Sequence, residues 1–267
     1  MIKNIHLVTY AEGVNRVTDR EYSTTQKLLI ESIESNTKYN VIYHTHNLKT
    51  IKEKEWFDKI SNFPNINFNK DWDRAGYYNA WKPFLVNEVY TSMGEDDILY
   101  YVDSSGYHQQ GFEYNIDSLI EYAYSNKNVC GSFGHDVKNN SYNCCDDVKI
   151  WDIIYTNMQT DINEILSKPH ILNSWLVFSK NKENSDFINE WVSFVNTQLN
   201  DIPLIAYHHT VDQSLFNILV YKYGFKCFFN NKTHNENKNH NLVHMEIENM
   251  NKNEIQNYFI NPINFNI

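Results

Sequence analysis

Asp103 directly follows the apolar run ILYYV. The run does not alternate, which predicts a strand buried on both faces, as in the middle of a parallel sheet. A carboxylate at the end of such a strand is costly without a partner, and a hard metal ion or ligand hydroxyl groups would serve. Because Asp-Ser-Ser also suits a turn or a helix N-cap, position alone leaves both interpretations open.

Two predicted helices carry further candidates near their first turns. Asp212 and Gln213 open a helix predicted over 211–224, where the helix dipole alone also favours an acid. Lys82 lies near the start of a helix predicted over 77–93, with Pro83 near its first turn. A cation there opposes the dipole, so a nearby anionic group would explain it. A solvated Lys82 beside a core Trp81 is the alternative.

The elements that position these residues alternate between strand-like and helix-like segments. Ligands of open α/β sheets bind beyond the carboxyl ends of the strands, which here are Thr9-Tyr10, Asp103 to Ser105, and Gly131 to Gly134. The predicted strands cover 5–11, 40–46, 66–70, 96–105, 129–134, 171–180 and 225–229; the predicted helices include 24–37, 53–61, 77–93, 115–126, 184–197 and 211–224.

Length, charge and cysteine content limit the classes of protein to which this chain can belong. The chain has 267 residues, of which 42% are hydrophobic, and it contains no repeat and no Pro/Gly linker, so one globular domain over 1–267 is expected. Its net charge of -10 argues against a nucleic-acid partner. The four cysteines have no metal spacing, which favours reduced thiols and a cytoplasmic location. No apolar run is long enough to predict an integral membrane segment.

Several of these segments, taken in chain order, resemble one family. ILYYVDSSG resembles the strand and turn of GT-A glycosyltransferases, in which Asp-Xaa-Asp follows an apolar strand. The segment with Arg74, Tyr78 and Trp81-Lys82-Pro83 is similar to the Trp-Lys-Pro helix of bacterial and giant-virus members. NSWLVFSKNKENSDFINEW resembles their later strand and helix, and His209 with Asp212-Gln213-Ser214 resembles their His-Xaa-His-Asp-Gln-Ser stretch.

The resemblance implies a fold and a reaction. The fold would be α/β: a GT-A-like, Rossmann-type, mixed but mostly parallel central sheet flanked by helices. Residues 1–110 would form the nucleotide-binding half, 111–230 the acceptor-side half and 231–267 an irregular tail. The reaction would move a sugar from a nucleotide-sugar, with a UDP-sugar favoured, to a hydroxyl of a glycan, a protein or a small molecule.

The resemblance also implies roles for individual residues. Asp212 and Gln213 would be catalytic. The donor would contact Thr9, Tyr10, Arg74, Lys82, Asp103, Ser104 and Ser105. Mn²⁺ or Mg²⁺ would be held by Asp103, Ser105 and His244, and the sugar or acceptor side would be formed by Trp81, His209 and Asn217.

This chain departs from the family pattern at the turn. Ser105 stands where the second carboxylate of Asp-Xaa-Asp usually helps to hold the metal, and Val211 stands where the family has a second His. A non-catalytic nucleotide- or carbohydrate-binding module on the same scaffold is therefore the alternative function. A metal-dependent hydrolase that uses the His-rich segments is a third possibility, although their spacing matches no metal motif.

Overall fold

A seven-stranded mixed sheet forms the centre of the protein in a computed structural model. The structure describes residues 1–15, 20–61, 80–104, 116–126, 128–133, 171–201, 216, 219, 220, 222–224, 226–230 and 242–245. In the order in which they pair, the strands of the sheet are β4 (Asn40–His46), β1 (Asn4–Tyr10), β5 (Ile98–Val102), β7 (Ile171–Ser179), β6 (Asn128–Phe133), β8 (Lys226–Asn230) and β9 (Leu242–Met245). A separate two-stranded ribbon joins β2 (Val14–Asn15) and β3 (Arg20–Glu21).

Five of the seven strands run in one direction, and β7 and β9 run in the other. The prediction of a mixed, mostly parallel sheet is therefore confirmed. The antiparallel direction of β7 was not predicted, because an apolar run indicates a strand but carries no information about its direction.

Helices cover both faces of the sheet. On one face, α1 (Tyr22–Asn36) and α5 (Ile116–Asn126) pack on β1, β5 and β7 and enclose a core that includes Leu29, Ile120 and Trp175. On the other face, α4 (Trp81–Ser92) lies beside α6 (Lys182–Asp201) and packs on β1 and β5. The short helices α2 (Leu48–Lys52) and α3 (Phe57–Ser61) follow β4. All five residues of β5 are buried, as its non-alternating sequence predicts.

Helix ends follow local chemistry. Asn47 caps α2 by accepting a hydrogen bond from the Thr50 N–H at 3.0 Å, while the Thr50 hydroxyl accepts from the Asn47 N–H. Pro83 lies in the first turn of α4, where its missing N–H costs no intrahelical bond.

Two elements differ from the sequence prediction. The structure has α2 before the predicted helix over 53–61, because Asn47 begins a turn of helix of its own, and α3 covers only the last five residues of the predicted range. Strand β9 pairs with β8 inside the stretch for which no strand was predicted. The predicted strand at 66–70 lies outside the described residues. No described helix has both the length and the apolar character needed to cross a bilayer.

Candidate functional site

The strand order creates a crevice at the carboxyl ends of β1 and β5. The chain passes from β1 outward to β4 and then returns to β5 on the other side of β1. Such a reversal is the topological switch point at which open α/β sheets bind ligands. Thr9, Tyr10 and Asp103 lie at this point, so two of the three strand ends predicted from sequence, those of β1 and β5, are neighbours at one edge of the sheet.

Asp103 is held at this edge by two donors. The Tyr101 hydroxyl donates a hydrogen bond to Asp103 Oδ1, and the Lys82 ammonium lies 3.3 Å from the same oxygen. The Asp103 side chain remains 32% exposed. Its carboxylate is thus fixed from the protein side and open to solvent on the other, which is the geometry expected of a group that receives a ligand.

Lys82 is buried, with 1% of the residue exposed. Its ammonium donates to Asn173 Oδ1 at 3.1 Å and to the Asn173 carbonyl oxygen at 3.3 Å, and it lies 5.1 Å from the centre of the Tyr101 ring. A buried ammonium is tolerated only with such compensation from acceptors, a carboxylate and an aromatic face. Lys82 is therefore not solvated, and the nearby anionic group that its position in the helix called for is the Asp103 carboxylate.

Aromatic rings form one wall of the crevice. The rings of Tyr10 and Trp81 lie 4.2 Å apart, and Trp81 lies 6.5 Å from Tyr101. Trp81, predicted on the sugar or acceptor side, therefore contacts Tyr10, which was predicted at the base. Because side chains alternate along a strand, Thr9 projects to the face opposite Tyr10. Thr9 Oγ1 is buried and has no hydrogen-bond partner within the described part of the chain.

Histidines border the same face of the sheet on the edge strand β4. His46 pairs with Tyr10, and burial together with the nearby Lys54 ammonium lowers the pKa of His46 to about 4. Burial also lowers the pKa of His44, with a further contribution from His6. His44 Nε2 lies 3.0 Å from His6 Nδ1. The lowered pKa values keep the rings of His44 and His46 neutral near pH 7.

Asp97 ends this chain of polar contacts at the opposite end of β5. Its Oδ2 lies 3.3 Å from His6 Nε2 and accepts from the Gly94 N–H at 2.8 Å, while Oδ1 accepts from Asn4 at 2.8 Å. Although burial acts in the opposite direction, these hydrogen bonds hold the pKa of Asp97 below its usual value. The arrangement joins β1, β4 and β5 away from the crevice.

Of the remaining predicted site residues, two lie within the described residues and six lie outside them. Ser104 is buried at the end of β5. His244 lies on β9, opposite Phe228, and three strands separate β9 from β5. The residues outside the described ranges are Arg74, Ser105, His209, Asp212, Gln213 and Asn217.

Two residues of the site were not singled out from the sequence. Tyr101 looked like one more apolar strand residue, and Asn173 lay inside the predicted strand 171–180. The one available signal for Asn173 was an amide interrupting an apolar run. Val102 pairs with Trp175, which brings the segment before Trp175 alongside Asp103 and places Asn173 next to Lys82.

The described residues do not fit Mn²⁺ or Mg²⁺. Among the described residues, Asp103 supplies the carboxylate at the crevice, and its Oδ1 already faces a hydroxyl donor and an ammonium. A divalent ion on this carboxylate would be repelled by the buried Lys82 charge a few ångströms away. Across the described ranges, no three His, Cys, Asp or Glu side chains come together as a metal-binding group.

Comparison with protein-family models and with curated protein sequences gives no match. Among solved structures, the crystal structure of mouse xyloside xylosyltransferase 1 in its apo form is similar over 82% of each chain, with 11% identity and a TM-score of 0.45. The likeness is distant, and the functional assignment therefore rests on the site.

Proposed function

We propose that this protein is a glycosyltransferase that moves a sugar from a nucleotide-sugar, with a UDP-sugar favoured, to a hydroxyl group of a glycan, a protein or a small molecule. The observation that carries the proposal is Asp103: a carboxylate fixed by Lys82 and Tyr101, yet open to solvent, at the switch point of the sheet. The family-like motifs before and after it in the sequence support the same class of reaction.

The donor would lie along the carboxyl edge of β1 and β5. Tyr10 and Thr9 would lie nearest the base, and Asp103 with Ser104 and Ser105 would accept hydrogen bonds from donor hydroxyls. Arg74 and the positive charge of Lys82 would offset the diphosphate charge. The acceptor side would be formed by residues Trp81, His209 and Asn217.

In the transfer itself, the acceptor oxygen forms a bond to the anomeric carbon while the bond from that carbon to the diphosphate oxygen breaks. Asp212, with Gln213 beside it in sequence, is the proposed catalytic carboxylate. It would either take the acceptor proton or stabilise the oxocarbenium-like centre. No step is assigned to Mn²⁺ or Mg²⁺, because the described donor set fits neither ion.

Calorimetric titration with UDP, GDP and their sugars, combined with an assay for nucleotide release, tests the proposal. We expect binding of one nucleotide class and sugar-dependent release of the diphosphate. The Asp212→Asn variant should keep donor binding and lose release, whereas Asp103→Asn should weaken both. A folded protein that binds none of these compounds would refute the proposal.

A non-catalytic binding module is the second candidate, and the observation that favours it is Ser105 in place of a carboxylate. The same titration separates the two functions. Tight binding of a nucleotide-sugar without release, in the presence of a panel of hydroxyl acceptors, would favour the module. Release that disappears in Asp212→Asn would exclude it.

A further inference from the structure

We propose that the buried ammonium of Lys82, positioned by Asn173, takes the place of a divalent cation beside Asp103, so that the site binds the hydroxyls of its donor without Mn²⁺ or Mg²⁺. This inference rests on the proposed function, because it assumes that a nucleotide-sugar binds at the crevice. It goes beyond that function by assigning the source of positive charge and the chemistry that Asp103 recognises.

The two carboxylate oxygens of Asp103 have different surroundings. Oδ1 is occupied by the Tyr101 hydroxyl and by the Lys82 ammonium at 3.3 Å. In the described part of the chain, Oδ2 accepts no hydrogen bond, and the side chain is one-third exposed. A carboxylate with one saturated and one open oxygen is suited to accept from a hydroxyl or a vicinal diol. The ribose and the transferred sugar both offer that chemistry.

The positive charge of Lys82 lies next to the Asp103 carboxylate. Lys82 lies in the first turn of α4, but its ammonium is buried on the Tyr101 ring and turned toward Asp103. It therefore places a positive charge on the same carboxylate that a metal ion would bind. Because like charges repel most strongly where water is excluded, the ammonium disfavours a divalent ion at this carboxylate.

Asn173 holds the Lys82 ammonium in this position. Asn173 presents two acceptors, Oδ1 at 3.1 Å and its own carbonyl oxygen at 3.3 Å. Pairing of β7 with β5 fixes the backbone of this segment, because Val102 lies opposite Trp175. Asn173 is thus a positioning residue: it acts on Asp103 through Lys82.

The first experiment measures UDP affinity of the wild-type protein by calorimetry, once in EDTA and once with Mn²⁺ or Mg²⁺. We expect the two dissociation constants to agree within about twofold, a difference of about 0.4 kcal/mol. Binding that requires the metal would overturn the inference and leave the proposed function standing. No binding under either condition would instead contradict the proposed function.

The second experiment removes the charge with Lys82→Met. We expect UDP binding in EDTA to weaken about tenfold or more, because the variant loses the ammonium that fixes Asp103 and offsets the diphosphate charge. We also expect added Mn²⁺ to restore part of the affinity, because the ammonium no longer repels it. A purely structural role for Lys82 would not lead to rescue by Mn²⁺. A folded Lys82→Met variant whose UDP affinity does not rise with Mn²⁺ would therefore contradict the inference.

One control variant and one parallel variant accompany Lys82→Met. Lys182→Met removes an exposed ammonium that pairs with Asp186 on α6, and it should change neither affinity nor metal response. Asn173→Leu should lower affinity in EDTA and gain a partial Mn²⁺ response, in the same direction as Lys82→Met. If Lys82→Met does not fold, the wild-type comparison in EDTA still decides the question.

The third experiment identifies which hydroxyls Asp103 binds, by comparing UDP with its 2′-deoxy and 3′-deoxy analogues and with UDP-sugars. If the ribose is the partner, a deoxy analogue should bind more weakly to the wild type but equally to Asp103→Asn. If the sugar is the partner, UDP and its analogues should bind alike, and Asp103→Asn should remove the extra affinity of the UDP-sugar. An Asp103→Asn variant that discriminates as the wild type does would overturn the assignment.

Discussion

At the scale of single residues, Lys82 and Asn173 show how a charged group is kept inside this protein. The ammonium is satisfied by acceptors on β7, by Asp103 after β5 and by the face of Tyr101. Breaking such an arrangement by removing one partner costs more than the arrangement contributes, because the remaining charge stays buried. The amide of Asn173 therefore matters for stability as well as for the site.

The Asn173→Ala substitution tests this stability role. It removes the 3.1 Å acceptor of a buried ammonium, and we expect the free energy of unfolding to fall by about 1–3 kcal/mol. Urea denaturation with circular dichroism measures the change. Asn189→Ala, at an exposed position on α6, is the control and should stay within about 0.5 kcal/mol. An Asn173→Ala loss as small as the control would mean that Lys82 finds equivalent compensation without the amide.

At the scale of elements, the edge strand β4 carries histidines that stay neutral when the chain is folded. The pKa of His46 is lowered to about 4, first by burial and then by Lys54. The unfolded chain takes up a proton near pH 6.5 whereas the folded chain does not. Stability from His46 is therefore fully present above about pH 6.5, and it is lost as the pH falls through the window from about 6.5 to about 4.

We expect acidification across this window to lower the free energy of unfolding by about 1–3 kcal/mol through His46 alone. His46→Gln should flatten the pH dependence between about pH 6.5 and 4, and Thr45→Ser, at an exposed position on the same strand, should not. Below about pH 3.8, protonation of Asp97 should lower stability further, because its pKa is depressed in the folded state. Denaturant titrations at a series of pH values measure both effects. An unchanged slope in His46→Gln would argue against neutral burial of this ring.

Helix α6 is anchored by aromatic packing. Trp191 is fully buried and contacts the rings of Phe187 and Phe216 at centroid distances of 6.3 and 5.2 Å. Trp191→Ala should lower the free energy of unfolding by about 3–5 kcal/mol, because it leaves a large cavity. Glu183→Gln, at an exposed position in the first turn of the same helix, serves as the comparison in thermal denaturation. Equal melting temperatures for the two variants would contradict the packing seen here.

Individual strands were more predictable than their arrangement. NVIYHTH predicted β4 with its observed ends, and the apolar run ILYYV predicted a buried β5. The contact between Lys82 and Asn173 spans 91 residues and depends on β7 entering antiparallel beside β5, which local periodicity does not encode. The sequence thus located Asp103 as a candidate but not the residues that hold it, because those residues are assembled by strand pairing.

At the scale of the whole molecule, ligand binding at the crevice should stabilise the fold, because a ligand that binds only the native state shifts the unfolding equilibrium. UDP at about 100 times its dissociation constant should add about 2.7 kcal/mol and raise the melting temperature by several degrees. Differential scanning fluorimetry measures the shift. At the same concentration, Asp103→Asn should shift less and inorganic phosphate should produce no comparable rise. A shift of equal size in wild type and Asp103→Asn would place the nucleotide elsewhere.

Helix α4 is tied to β7 at both of its ends. At its start, Lys82 donates to Asn173; near its end, the Tyr90 hydroxyl donates to the Asn181 carbonyl just beyond β7, while the Asn181 N–H donates to Tyr90. Lys82 and Tyr90 lie eight residues apart, which corresponds to about 12 Å along the helix axis. A helix pinned at two such distant points cannot slide along its axis without carrying the strand with it. Amide protons of α4 and β7 should therefore exchange with solvent as one cooperative unit, and the crevice should lose its shape only when that unit opens.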